Sequence, residues 1–255
     1  QFARITTFAM TDRQYGIETL CLHAGAQPDA ATGARALPIH QTTSFVFDSA
    51  DHAASLFNLQ TFGNVYSRIG NPTVAAFEER MAALEGGRAA VAAATGLAAQ
   101  MVALLTLCQA GDRIVAARTL YGGTFSQLDY SLRRLGIETA FVDADDPAAF
   151  RAALTDNTRC LFAETVANPR LNVLDISAVA NVAHDHGVPL IVDNTVPSPC
   201  LCRPFEHGAD IVVHSATKFL GGHGTTLGGV VVESGRFDWG NGKFPGMTEP
   251  SAGYH

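Results

Sequence analysis

An α/β fold, with a mostly parallel sheet and helices on both faces, is predicted by three features of this chain. From Gly86 onward, short apolar runs alternate with helical patterns, as in strands joined by crossover helices. Two of those runs, Pro189-Leu-Ile-Val-Asp193 and Asp210-Ile-Val-Val-His214, are continuous rather than alternating, as strands covered on both faces require. Both runs deliver polar chemistry at their carboxyl ends, where open α/β sheets bind ligands: a carboxylate at Asp193, and the cluster His214-Ser215-Ala-Thr217-Lys218.

The elements follow in order. Ala89 to Ala94 reads as a small-residue strand, with Gly96 opening a helix that runs to about Leu107. Asp112 to Ala116 is a strand, Thr124 to Leu135 a helix, and Glu138 to Val142 a strand. The next helix spans Pro147 to Leu154, with proline in its first turn, where its missing N–H costs nothing. Arg159 to Glu164 is a strand, and Asp175 to His186 a helix stopped by Gly187. After the strands ending at Asp193 and His214, Gly228 to Glu233 supplies a further one.

The part before Gly86 differs. Leu22 to Thr43 is loop-like, rich in Gly, Pro, Asp and Thr, and Thr73 to Glu85 is an amphipathic helix with Val74, Phe77, Met81 and Leu84 on its apolar face. Residues 10–72 therefore read as an N-terminal loop and helix arm, and residues 73–255 as the large domain. The stretch 1–9 precedes Met10-Thr-Asp-Arg, a plausible natural start, and is expected to be foreign to the natural protein. The closing Pro250-Ser-Ala-Gly-Tyr-His255 stops among turn residues.

Composition narrows the function classes. With 255 residues, 47% of them hydrophobic, the chain can bury a large core. Its net charge is −7 and its 17 Lys and Arg are scattered, which argues against a nucleic-acid partner. No apolar stretch reaches membrane-spanning length and no secretory start is evident. The five cysteines form no C-x-x-C, and Cys200-x-Cys202 is tighter than zinc spacing, so no metal is expected and reduced thiols in the cytoplasm are the simpler account.

Taken alone, a lysine after a strand is usually a solvated loop residue, and an aspartate at a strand end is usually a cap or turn former. On adjacent strands, beside Ser215 and Thr217, they suit a cofactor that is an aldehyde, a pyridine and a phosphate at once: pyridoxal 5′-phosphate. The lysine holds the aldehyde and the acid keeps the ring nitrogen protonated. Four further segments fit the same ligand. Tyr66-Ser-Arg68 offers a phenol and a guanidinium to a phosphate, although it also reads as an ordinary loop before the helix at Thr73. Thr95-Gly96-Leu97 places backbone N–H groups at a helix start, where anions bind. Tyr121-Gly-Gly-Thr124 can lay a ring over a planar ligand, and Glu164-x-x-x-Asn168-Pro169 brings an amide to another strand end.

With these pieces in this order, the chain resembles the cystathionine γ-synthase family of Cys/Met metabolism, the fold-type I pyridoxal-phosphate enzymes, from about Ile17 to the end. Its wording, such as His23-Ala-Gly-Ala-Gln-Pro-Asp29, Pro38-Ile-His-Gln-Thr-Thr-Ser44 and Phe244-Pro-Gly-Met-Thr-Glu-Pro250, is most similar to the O-acetylhomoserine sulfhydrylase branch. The resemblance implies that Lys218 carries the cofactor and moves protons, Asp193 pairs with the pyridine nitrogen, Tyr121 stacks on the ring and Asn168 bonds the ring hydroxyl. It implies that Gly96, Leu97, Ser215 and Thr217 hold the phosphate from within the subunit, while Tyr66 and Arg68 reach that of a neighbouring subunit in a tetramer of site-sharing dimers. Leu97 and Thr95 stand where relatives often carry other residues, which leaves the backbone donors in place.

The implied reaction is a γ-replacement: O-acetyl-L-homoserine and sulfide, or a thiol, give L-homocysteine and acetate. Use of the succinyl ester, γ-elimination, and cofactor binding without turnover are the alternatives, since the family's C-terminal domain, with its carboxylate-binding arginine, is expected to lie beyond this sequence. A dinucleotide module would need Gly-x-Gly-x-x-Gly after the first strand, which Ala94 to Ala99 does not supply. Among the remaining polar residues, His184 and His186 read as a solvated helix end. His214 and His223 flank the lysine as secondary candidates. Arg203 and Arg236 are local candidates for a substrate carboxylate, in positions that equally suit a solvated edge.

Overall fold

Continuous apolar runs become the centre of one seven-stranded sheet in the computed structural model, which describes residues 14–250. The expected foreign stretch, residues 1–9, lies outside the described residues. The chain divides into two compact units, one up to Leu84 and one from Glu85 onward.

In the N-terminal unit, helix α1 spans Ile17–His23, α2 spans Ala50–Phe57 and α3 spans Pro72–Glu85, whose last residue already belongs to the second unit. Helix α2 is capped by Ser49, whose side chain accepts the His52 N–H at 3.0 Å. At the start of α3, the Asn71 side chain accepts the Thr73 N–H at 2.9 Å and donates to the His40 carbonyl at 2.8 Å. The Thr73 hydroxyl donates to the Pro38 carbonyl at 3.0 Å, so side chains tie the preceding loop to the helix. The apolar face expected on α3 is partly displaced: Val74 is exposed, whereas Ala76, Met81 and Leu84 are buried.

In the second unit the strands are β1 (Ala89–Ala93), β2 (Arg113–Ala117), β3 (Glu138–Val142), β4 (Thr158–Glu164), β5 (Leu190–Asp193), β6 (Ile211–Ser215) and β7 (Gly229–Glu233). Their order is β1-β7-β6-β5-β4-β2-β3. Strand β7 is antiparallel to both of its neighbours and every other pairing is parallel, so the remaining strands all send their carboxyl ends to one edge. The crossovers are α4 (Gly96–Leu107), a helix built from α5 (Gly122–Ser126), a π-turn (Gln127–Ser131) and α6 (Leu132–Arg134), then α7 (Pro147–Ala153) and α8 (Ile176–Asp185). Two single turns, α9 (Ser198–Leu201) and α10 (Pro245–Thr248), complete the described α-helices.

The middle of the sheet is sealed on both faces. Leu161, Phe162, Leu190, Ile191, Val192, Val212 and Val213 are all fully buried. Burial of each such side chain is worth about 1.5–3 kcal/mol, and it fixes which residues emerge at the strand ends. Below that edge the core holds a polar cluster around Glu85. His214 Nε2 lies 2.6 Å from Glu85 Oε1, and both side chains are fully enclosed. Asn194 donates to the same carboxylate at 3.0 Å and to the Cys202 carbonyl at 2.8 Å, while accepting the Thr165 hydroxyl at 2.9 Å. An enclosed ionisable pair holds only when partnered in this way.

Candidate active site

Three neighbouring strands set the geometry. Glu164 at the end of β4 pairs in register with Asp193 at the end of β5, and Asp193 pairs with Val213 of β6, two residues before Ser215. The Asp193 carboxylate is held at both oxygens: Oδ1 accepts the Thr195 N–H at 2.9 Å, and Oδ2 accepts the Gln100 side-chain N–H at 2.8 Å. Gln100 lies one turn into α4, is buried, and donates also to the Thr124 hydroxyl at 3.1 Å. The Thr195 hydroxyl in turn accepts the Ser215 N–H at 2.8 Å, which locks the β5 and β6 ends together.

The end of β6 meets the start of α4 without any intervening side chain. A Cβ on Gly96 would lie 2.7 Å from the Ser215 Cβ, and one on Gly229 would lie 2.0 Å from the Thr95 carbonyl oxygen. Both positions therefore demand glycine for close approach rather than for a special φ. Thr95 caps the helix by accepting the Ala98 N–H at 3.1 Å, and the Leu97 carbonyl accepts the Gln127 amide at 2.9 Å. The start of α4 thus lies directly against Ser215, and the N–H groups of a helix start suit a phosphate.

Beyond Ser215, the Lys218 N–H donates to the Ser215 carbonyl at 3.3 Å, which turns the chain so that Lys218 is exposed at the sheet edge. Thr217 and Gly228 clasp each other, the threonine hydroxyl donating to the glycine carbonyl at 3.3 Å and accepting the glycine N–H at 3.2 Å. On the other side, Glu164 Oε1 accepts the Tyr121 N–H at 2.7 Å and Oε2 accepts the Asn168 N–H at 3.0 Å. The Tyr121 ring is half exposed, and Asn168, which precedes a cis peptide bond to Pro169, is exposed. Burial pushes the Glu164 carboxyl up to about 7, with the nearby Asp193 charge adding to the rise and the two N–H donors opposing it.

Lys218, Asp193, Tyr121, Asn168, Gly96, Leu97, Ser215 and Thr217 therefore share one edge of one sheet. The set offers an amine, a doubly anchored carboxylate, an exposed phenol ring, an amide and a cradle of N–H and hydroxyl donors, which matches the functional groups of pyridoxal phosphate. Tyr66 and Arg68 belong to the N-terminal unit, where the Arg68 guanidinium lies 5.5 Å from the Tyr66 ring centre.

The secondary candidates fare differently. His214 is not beside the lysine's amine; it points into the core against Glu85, because β6 alternates its side chains across a doubly covered sheet. His184 and His186 are not simply solvated. His184 Nε2 sits 2.9 Å from Asp210 Oδ2, and His186 Nε2 sits 2.9 Å from the Thr155 carbonyl. Burial raises the Asp210 carboxyl, and the Leu190 N–H and His184 pull it back. Arg203 pairs with Glu206 at 3.3 Å and Arg236 donates to the Phe205 carbonyl at 2.9 Å, so both have local partners. Among the described residues no cluster of His, Cys, Asp or Glu is placed to hold a metal ion. Sequence reasoning misses Gln100, although the one amide in the largely apolar run Gly96–Leu107 is the signal that marks it.

Comparisons with known proteins give this geometry a lineage. The chain is 56% identical over 243 residues to the O-acetyl-L-homoserine sulfhydrylase of Leptospira meyeri, a match covering 95% of this chain and 55% of that protein. It is 54% identical over 241 residues to the homocysteine synthase of Schizosaccharomyces pombe, covering 93% of this chain and 56% of the relative. The chain thus spans about half the length of the curated relatives it matches. Among solved structures, an O-acetylhomoserine (thiol)-lyase from Campylobacter jejuni, crystallised with N′-pyridoxyl-lysine-5′-monophosphate, superposes with a TM-score of 0.91 at 36% identity, covering 95% of this chain and 60% of that one. The family model described as Cys/Met metabolism PLP-dependent enzyme matches residues 18–248. By sequence and by fold, the chain belongs to the Cys/Met metabolism family of pyridoxal-phosphate-dependent enzymes.

Proposed function

We propose that this protein carries out the γ-replacement by which O-acetyl-L-homoserine and sulfide give L-homocysteine and acetate. The observation that carries the reading is the pairing of a doubly anchored carboxylate, Asp193, with the lysine-bearing turn of the adjacent strand. The names of the relatives, sulfhydrylase and homocysteine synthase, support the substrate pair.

Pyridoxal phosphate, when bound, supplies the electron sink that makes carbanion character at Cα and Cβ accessible. The rest is done by the chain. Lys218 holds the cofactor's aldehyde, then takes the Cα proton and returns one further along the substrate. Asp193 keeps the proton on the pyridine nitrogen, and its two donors stop it from swinging away. Tyr121 would cover one face of the cofactor ring, and the Asn168 amide would meet its hydroxyl. The N–H groups of Gly96 and Leu97, with the Ser215 and Thr217 hydroxyls, would hold the phosphate. The Cγ–O bond to acetate breaks and a Cγ–S bond to sulfide forms. In our reading Tyr66 and Arg68 complete the phosphate site of a neighbouring subunit, so that the working unit is at least a dimer; we take such site-sharing dimers to form a homotetramer, located in the cytoplasm. The free thiols of all five cysteines are in keeping with that location.

The test is a product assay on protein loaded with pyridoxal phosphate. Sulfide-dependent homocysteine formation from the acetyl ester, faster than from the succinyl ester and without breakdown of cystathionine, is expected. Preference for the succinyl ester, or cystathionine cleavage at a comparable rate, would overturn the substrate assignment.

A further inference from the structure

We propose that Glu164 is a positioning residue, whose carboxylate braces the Tyr121 loop and the Asn168 loop through their backbone N–H groups and so sets the ring-face and ring-hydroxyl contacts of the cofactor together. The inference rests on the site reading above, which gives Tyr121 and Asn168 those two contacts.

Three observations carry it. Glu164 Oε1 accepts the Tyr121 N–H at 2.7 Å and Oε2 accepts the Asn168 N–H at 3.0 Å, so each oxygen serves a different loop, one after β2 and the other after β4. The side chain is buried at the strand end, in register with Asp193, so the fold places a second acid beside the first. A buried carboxylate next to a like charge is costly, and only a carboxylate offers two equivalent acceptors to two converging donors. An amide in its place would turn an NH2 group toward one of those N–H groups. Tyr121 and Asn168 each lie four residues past the end of their strand, β2 and β4, beyond the last paired residues of the ladder between them, and there it is Glu164 that bridges the two loops.

Two conservative variants, Glu164→Gln and Glu164→Asp, test this. The first keeps the volume but one good acceptor; the second keeps the charge but falls short by one methylene. The readouts are amide hydrogen exchange at Tyr121 and Asn168 in cofactor-free protein, the dissociation constant for added pyridoxal phosphate, and the circular dichroism induced in the bound cofactor. We expect faster exchange at one or both amides, about tenfold weaker cofactor binding, equivalent to losing one charge-assisted hydrogen bond, and a changed induced signal. A purely structural role would lower the melting temperature while leaving the induced signal and the dissociation constant unchanged within about twofold; that result sinks the proposal. If the unsubstituted protein takes up no pyridoxal phosphate at all, the site reading itself fails and the proposal falls with it. Uptake by the parent protein with unaltered variants overturns the bracing role alone.

Discussion

Gln100 reaches across from the first turns of α4 to donate its amide to Asp193 at 2.8 Å, on the oxygen that Thr195 leaves free. The aspartate is thereby held by neutral donors, which orient a carboxylate without competing for the cation it is meant to face. Gln100→Met keeps the apolar volume and removes this donor. We expect apoprotein stability to change little, because an amide oxygen of Gln100 is already buried without a partner. Cofactor affinity should weaken by about tenfold, the scale of one hydrogen bond to a charged group. Equilibrium dialysis with pyridoxal phosphate measures it, and unchanged affinity would show that Thr195 alone suffices.

Lys218→Ala and Asp193→Asn separate attachment from activation. Borohydride treatment should fix the cofactor to the parent chain, visible as added mass on the peptide containing Lys218, and should fix none to Lys218→Ala. Asp193→Asn should keep bound cofactor yet lose rate by up to about ten-thousandfold, by analogy with other tautomer-fixing carboxylates. Stopped-flow and mass measurements on the same preparations read both; fixation to another lysine would move the attachment site elsewhere.

Gly96→Ala tests the packing at the phosphate end. The new methyl would sit 2.7 Å from the Ser215 Cβ and 2.9 Å from its Cα, so backbone must move. Overpacking of this kind costs about 1–3 kcal/mol, and here the strain falls on the lysine-bearing strand. A lower urea midpoint together with weaker cofactor binding is the expected pair of results.

Stability should also depend on pH through Glu164. Its carboxyl titrates at about 7 in the folded chain against an ordinary 4.5. A raised acid pKa means that the folded state holds the proton more tightly, so this contribution is full below about 4.5 and is lost as pH rises to about 7. Its size is about 3 kcal/mol, from 1.36 kcal/mol per unit. Glu164→Gln should flatten that part of the profile, and chemical denaturation of both proteins at pH 5 and pH 8 gives the comparison. Parallel profiles would place the titration on another group.

Much of the fold was legible because buried parallel strands leave continuous apolar runs: the strands ending at Glu164, Asp193 and Ser215 stand where those runs stop. The glycines at 96 and 122–123 marked the adjoining turns. Helices α1 and α2 were harder to see, since each is at most two turns long and only Ser49 offers a capping signal. The contacts of side chains far apart in sequence left no local trace. His214 meets Glu85 across 129 positions, and Gln100 meets Asp193 across 93. His184 on α8 read as a solvated residue because its partner, Asp210, lies 26 positions on, just before β6.

The reciprocal bonds between Thr217 and Gly228 close the segment from Phe219 to Leu227 into a loop whose neck is fixed at the sheet edge. Lys218 lies at that neck rather than at the tip. Since lengthening a loop adds only slowly to its closure cost, the tip can be shortened, extended or exchanged with little entropic effect on the neck. The protein thus has a place where new contacts can be grafted next to its reactive amine without re-engineering the amine's own placement.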